Sequence, residues 1–221
     1  GVPARSMHQI TSPITAKLLN DKDSAGLESL YKKSSLNLFV ISGLIFLLIV
    51  LNINMLYEII PDKFSGALLV VFIVSVAKLS DNLIGNNNAI LFNSDYYRVV
   101  LLLGVLLAIM TVALNIWLIP KYDIDGAAFA TFISIIIYNT AKILFVYYKF
   151  DIVPFTSNTV KTFLLILVMI GLFYFWEFPF HPIVNIGLKS IIVAGIYTFV
   201  VYAMNFSEDI SKLLDTLFRK F

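Results

Sequence analysis

The chain contains no cysteine, so it has neither a disulfide framework nor a thiolate metal site, and its redox compartment cannot be read from it. Histidine is nearly as scarce. His8 and His181 stand alone, with no second histidine or carboxylate at metal-ligand spacing. No glycine-rich phosphate loop is present. These absences exclude a zinc enzyme or a P-loop ATPase within these residues, and no catalytic constellation appears, so enzyme activity is not expected. Charge is sparse as well. Lys, Arg, Asp and Glu make up 14% of 221 residues, against roughly a quarter in a soluble domain. The net charge of +2 is too small to point to nucleic acid. The chain opens at Gly1 without a signal peptide, and a start at Gly-Val-Pro reads as a piece of a longer protein.

What the chain does have is apolar length. Hydrophobic residues make up 59%, with a mean hydropathy of +0.89. They fall in runs long enough to cross a hydrocarbon core of about 30 Å, which takes about 20 residues of helix. Lipid offers no partner to backbone N–H and C=O groups, so spanning segments are helices or closed barrels. The runs do not alternate apolar with polar, which argues against a barrel. The expected fold is an all-α integral membrane bundle of six transmembrane helices.

Residues 1–35 read as the end of a preceding helix, then a loop and a short amphipathic helix on a membrane surface. The spans are expected at about 36–56, 64–84, 97–118, 126–148, 160–176 and 184–204. The second runs either to Ile84 or on through Phe92, and Pro61 with Asp62 makes the turn before it. Trp176 and Phe178 beside Pro179 suit an interfacial belt. Residues 205–221 form an amphipathic tail, with Ile210, Leu213, Leu214, Leu217 and Phe218 on one face and Ser207 at the helix start. Twelve of the sixteen Lys and Arg residues fall on the side holding residues 1–35, the turns after spans two and four, and the tail. Only Lys63 and Lys121 fall on the other. By the positive-inside rule the first side is cytoplasmic, as are both ends of the chain.

Ionisable residues inside a span are functional candidates, because at the centre of a lipid-facing helix each costs at least ~2.5–3.5 kcal/mol. Lys78 and Asp81 lie three apart and share a helix face. They line a wet cavity, or else they mark the cytoplasmic end of span two, where Lys78 snorkels to the headgroups. Asn82 follows them. Asn86, Asn87 and Asn88 read as a cytoplasmic loop, with a cavity mouth as the alternative. Tyr138, Asn139 and Lys142 cluster at helical spacing, and Lys142 is expected to snorkel at the cytoplasmic boundary. Lys189 is expected to snorkel outward. Asn115 is expected to hydrogen-bond between helices, and Gly126, Ala127, Ala128 and Ala130 to let helices approach closely.

The stretch LNIWLIPKYDIDGAAFATFIS, Leu114–Ser134, resembles a signature of the polysaccharide-exporter branch of the MOP flippase superfamily, the Wzx-type O-antigen flippases. It departs from that pattern at Asp123, where the family commonly has glycine. The stretches PARSMHQITSPITAKLLNDKDSAGLESLYKKSS and GNNNAILFNSDYYR are similar to the family as well. The resemblance implies the C-terminal lobe of a MATE-like fold of two six-helix lobes around a cavity, its N-terminal lobe missing here. It also implies the transport of an undecaprenyl-diphosphate-linked oligosaccharide across a bacterial cytoplasmic membrane by alternating access, with no resident cofactor. The partners it implies are that oligosaccharide, the bilayer, the missing lobe, and polysaccharide polymerases and glycosyltransferases. In that setting Lys78 would meet the anionic head group and Asp81 would take up a proton or sodium, with Arg5 and Lys142 as further cations. Two alternatives remain: a multidrug or small-metabolite exporter of the same superfamily, and a membrane-embedded polysaccharide polymerase or ligase. The short loops expected at 57–64, 119–125 and 177–183 count against the enzyme.

Overall fold

The computed structural model describes residues 2–60 and 67–218, and within them the chain is helical with no strand. The order is α1 (Val2–Asn20), α2 (Ser24–Val50), α3 (Ile53–Ile59), α4 (Leu68–Leu83), α5 (Asn87–Phe92), α6 (Tyr97–Phe150), α7 (Ser157–Phe173), α8 (Pro182–Ala203) and α9 (Glu208–Phe218). Helices α2, α6 and α8 are long and apolar enough to cross a membrane, and α7 is apolar but shorter. The chain is therefore an all-helical protein suited to a bilayer. The expected turn at Pro61 and Asp62, the start of the second span at Phe64, and the last three residues of the tail lie outside the described residues.

The centre of the fold is α2, which touches α1, α4, α7 and α8. It begins twelve residues before the expected span, capped by Asp23, whose carboxylate accepts from Gly26 N at 2.9 Å. The segment expected to be a separate surface helix is thus the first turns of α2. Its charges are compatible with that, since Lys32 pairs with Glu28 one turn away at 2.5 Å, while Leu27 and Tyr31 turn inward and are fully buried. At its other end α2 stops at Val50, and Asn52 follows. The Asn52 amide donates back to Leu48 O at 2.8 Å and across to Ser190 Oγ of α8 at 3.1 Å. The chain then restarts as α3. Gly43 lets α7 and α8 close on α2, because a β-carbon there would lie 2.7 Å from Ile166 and 2.9 Å from the Tyr197 hydroxyl. That hydroxyl donates to Val40 O at 2.9 Å. Phe46, Leu47, Ile166, Met169, Val193 and Tyr197 form the main core.

A straight helix of the 54 residues in α6 would run about 80 Å. It is instead a hairpin. Asp123 has φ 48 and ψ −128, and the chain reverses there into arms 97–122 and 124–150. Two observations fix the reversal. A β-carbon on Gly126 would sit 2.6 Å from the carbonyl carbon of Leu118, eight residues back and therefore about 12 Å away in a straight helix. At the far end the Tyr96 ring meets Phe145 at 5.5 Å and Phe150 at 5.9 Å. The reversal thus falls inside the loop expected at 119–125. Pro120 stays in the helix, and the left-handed residue makes the turn.

Candidate functional site

Helix α4 ends at Leu83, and Gly85, with φ +57, turns the chain into α5. A β-carbon on Gly85 would lie 2.6 Å from the backbone nitrogen of Ser35, so the turn presses directly on α2. Three asparagines follow. Consecutive residues of a helix point about 100° apart, and these three amides fan out to three different elements. Asn86 donates to Thr15 Oγ1 of α1 at 3.0 Å and accepts from Ser34 Oγ of α2 at 2.9 Å. Asn87 donates to the Tyr31 hydroxyl at 2.6 Å. Asn88 accepts from Lys142 Nζ on the second arm of α6 at 3.1 Å. Asn86 and Asn87 are 2% and 0% exposed. The cytoplasmic-loop expectation is corrected here: the run is a buried clamp, because each amide has an interhelical partner. Ser35 completes it by donating to Leu83 O.

Lys142 does not snorkel. It is 1% exposed, enclosed where α4, α5 and the second α6 arm meet. Its ammonium lies 4.2 Å from the centre of the Tyr138 ring, and Asp81 is the carboxylate that acts electrostatically on both Lys142 and Tyr138. Among the described residues no ion pair within 4.0 Å joins Asp81 and Lys142. The Asn139 amide nitrogen stands 3.5 Å from Asp81 Oδ1, a long and weak hydrogen bond. Asn139 is itself buried, and its Oδ1 has no protein partner. The arrangement is costly. A buried ammonium gives up its hydration, and one charge-assisted hydrogen bond, worth ~1.5–3 kcal/mol, and one ring face, worth ~0.5–2 kcal/mol, are what it touches in return. Asp81 adds attraction from a greater distance.

The structure therefore gathers Asp81, Tyr138, Asn139 and Lys142, and Asn82 lies beside them, lining one small pocket with Asp81 and Asn88. Lys78 and Asp81 share α4 but diverge. Lys78 is exposed and, with Asn82, faces a cleft of about 280 Å³ against α2. Arg5 is exposed on α1. Asn88 escaped the sequence-based candidate set because it read as one of three loop amides. The sequence signal for it is the polar triplet itself, set between Ile84 and the apolar Ala89–Phe92. Two other expectations change. Lys189 is 2% exposed on α8, so its side chain is covered by protein, with Glu177 the carboxylate that acts on it electrostatically. Asn115 donates to Thr111 O of its own helix at 2.8 Å, not to another helix. Among the described residues no group of acidic, histidine or cysteine side chains is placed to hold a metal ion.

No family model matches the chain, and neither a curated protein nor a solved structure is detectably similar to it.

Proposed function

We propose that this chain is part of a membrane transporter, not an enzyme, and that it moves an undecaprenyl-diphosphate-linked oligosaccharide across the bacterial cytoplasmic membrane by alternating access. The observation that carries the transport reading is Lys142, an ammonium fully buried among apolar helices without a close carboxylate. Ionisable groups at membrane depth that face a bundle interior mark substrate and ion pathways. The choice of cargo rests on the resemblance of Leu114–Ser134 to the O-antigen flippases.

In this reading α2, α4, the two arms of α6, α7 and α8 are six spans of a MATE-like C-terminal lobe, with both chain ends in the cytoplasm. A second lobe completes the cavity. Asp81 is the group that exchanges a proton or sodium, and Lys142 is the fixed cation whose field that exchange alters. Sites of this kind lie at repeat interfaces, where one body rocks against another.

The test is complementation. The gene encoding this chain is expressed in a bacterium lacking its O-antigen flippase, alongside Asp81→Asn and Lys142→Ala variants at matched membrane abundance. Restored surface polysaccharide with the parent gene, and its loss in both variants, is the expected result. A parent gene that restores no lipid-linked glycan but confers drug resistance would move the assignment to a small-molecule exporter.

A further inference from the structure

The cleft beside α4 has a composition that the buried cluster does not share. One wall is α4, where Ser75, Lys78 and Asn82 lie at helical spacing along the same face. Their side chains make no hydrogen bond or ion pair with any described residue, so a hydroxyl, an ammonium and an amide are left available together. The facing wall is α2, where Ile45, Phe46 and Ile49 continue the cleft away from the lysine. Ile45 and Ile49 are 43% and 40% exposed, so the cleft opens sideways, toward lipid. Among the described residues lining it, Lys78 is the only charged one.

We propose that this cleft holds an anionic glycerophospholipid of the surrounding bilayer, its phosphodiester on Ser75, Lys78 and Asn82 and an acyl chain along Ile45, Phe46 and Ile49. Charge complementarity selects this occupant. One ammonium matches one phosphodiester negative charge, whereas a diphosphate would leave a second charge unmatched at an apolar wall. A zwitterionic lipid gains little from the lysine, since its own cation offsets the phosphate. The leaflet concerned is the cytoplasmic one if the proposed orientation holds. The site itself does not depend on what the protein transports.

Native mass spectrometry of the purified protein in detergent, titrated with dioleoyl phosphatidylglycerol or dioleoyl phosphatidylcholine, reads the site directly. Phosphatidylglycerol is expected to bind about fivefold more tightly, the effect of one basic residue on an anionic lipid. Lys78→Gln abolishes that preference and leaves phosphatidylcholine binding unchanged, while Lys78→Arg and the control Lys33→Gln keep it. Ile49→Trp fills the groove and weakens both lipids alike. Equal binding of the two lipids to the unaltered protein overturns the proposal, as does a preference that survives Lys78→Gln. Displacement of phosphatidylglycerol by a polyprenyl diphosphate at a tenfold lower concentration overturns it too, by assigning the cleft to the transported lipid.

Discussion

Replacing Lys142 by methionine removes a charge while nearly preserving side-chain length. Lys142 has no carboxylate within ion-pair distance among the described residues, so an apolar side chain in its place removes a desolvation cost, and Lys142→Met is expected to unfold in detergent at the same temperature as the parent or higher, yet to lose transport. A thermal melt and the complementation assay, run on one preparation, check both halves. Asn86→Ala behaves in the opposite way. It removes the side-chain bonds that tie α5 to Thr15 of α1 and Ser34 of α2, while both hydroxyls keep a bond within their own helix, at about 1 kcal/mol for each bond lost, and the melt should fall. Asp81 and Lys142 were legible in the sequence because a charge in an apolar run is conspicuous. Their company was not, since Asn88 reaches Lys142 across 54 residues of chain. Whether an amide is a loop residue or a buried clamp depends on such long-range partners, which local spacing does not encode. For the same reason Lys142 and Lys189 read as snorkelling side chains: their helix positions were clear, but their neighbours were not.

Among the elements, α6 puts its strain at one place. Asp123 holds φ 48 with ψ −128, a sparsely populated region that costs an L residue of order 1–3 kcal/mol, whereas glycine adopts positive φ freely. Asp123→Gly is therefore expected to raise the unfolding temperature. Gly126→Ala should lower it, because its added methyl meets the Leu118 carbonyl. If Asp123→Gly lowers the melt instead, the reversal is not at Asp123. The departure from the flippase pattern noted at this residue thus falls on the strained position of the turn. Most helices were visible in the sequence as apolar runs, and α7 and α8 begin two or three residues before the expected edges. The ends near α1, α2 and α4 were less visible. Charged residues such as Glu28 and Lys32 look like a surface, yet at i, i+4 they support the same helix that becomes apolar a turn later. The separation of α4 from α5 depends on the close approach of Gly85 to Ser35, a tertiary contact.

For the whole molecule, the absence of cysteine gives a clean background for labelling. Single cysteines at Lys22 and at Asp123 are expected to react with a membrane-impermeant maleimide from opposite faces of the bilayer, Asp123→Cys from outside intact cells and Lys22→Cys only after permeabilisation. Reaction of both from one face would overturn the proposed topology. The burial of the long helices is very uneven: 67% of the most apolar window of α2 is covered by protein, against 6% for α6. This difference bears on how the chain is assembled during synthesis. The α6 window lies in its first arm, which is expected to insert without help from neighbouring helices, whereas the second arm buries Ser134, Asn139 and Lys142 and reaches its final environment only once packed on α4 and α5. Helix α2 is made before the hairpin but reaches its final environment after it, because α7 and α8, which cover it, have yet to leave the ribosome.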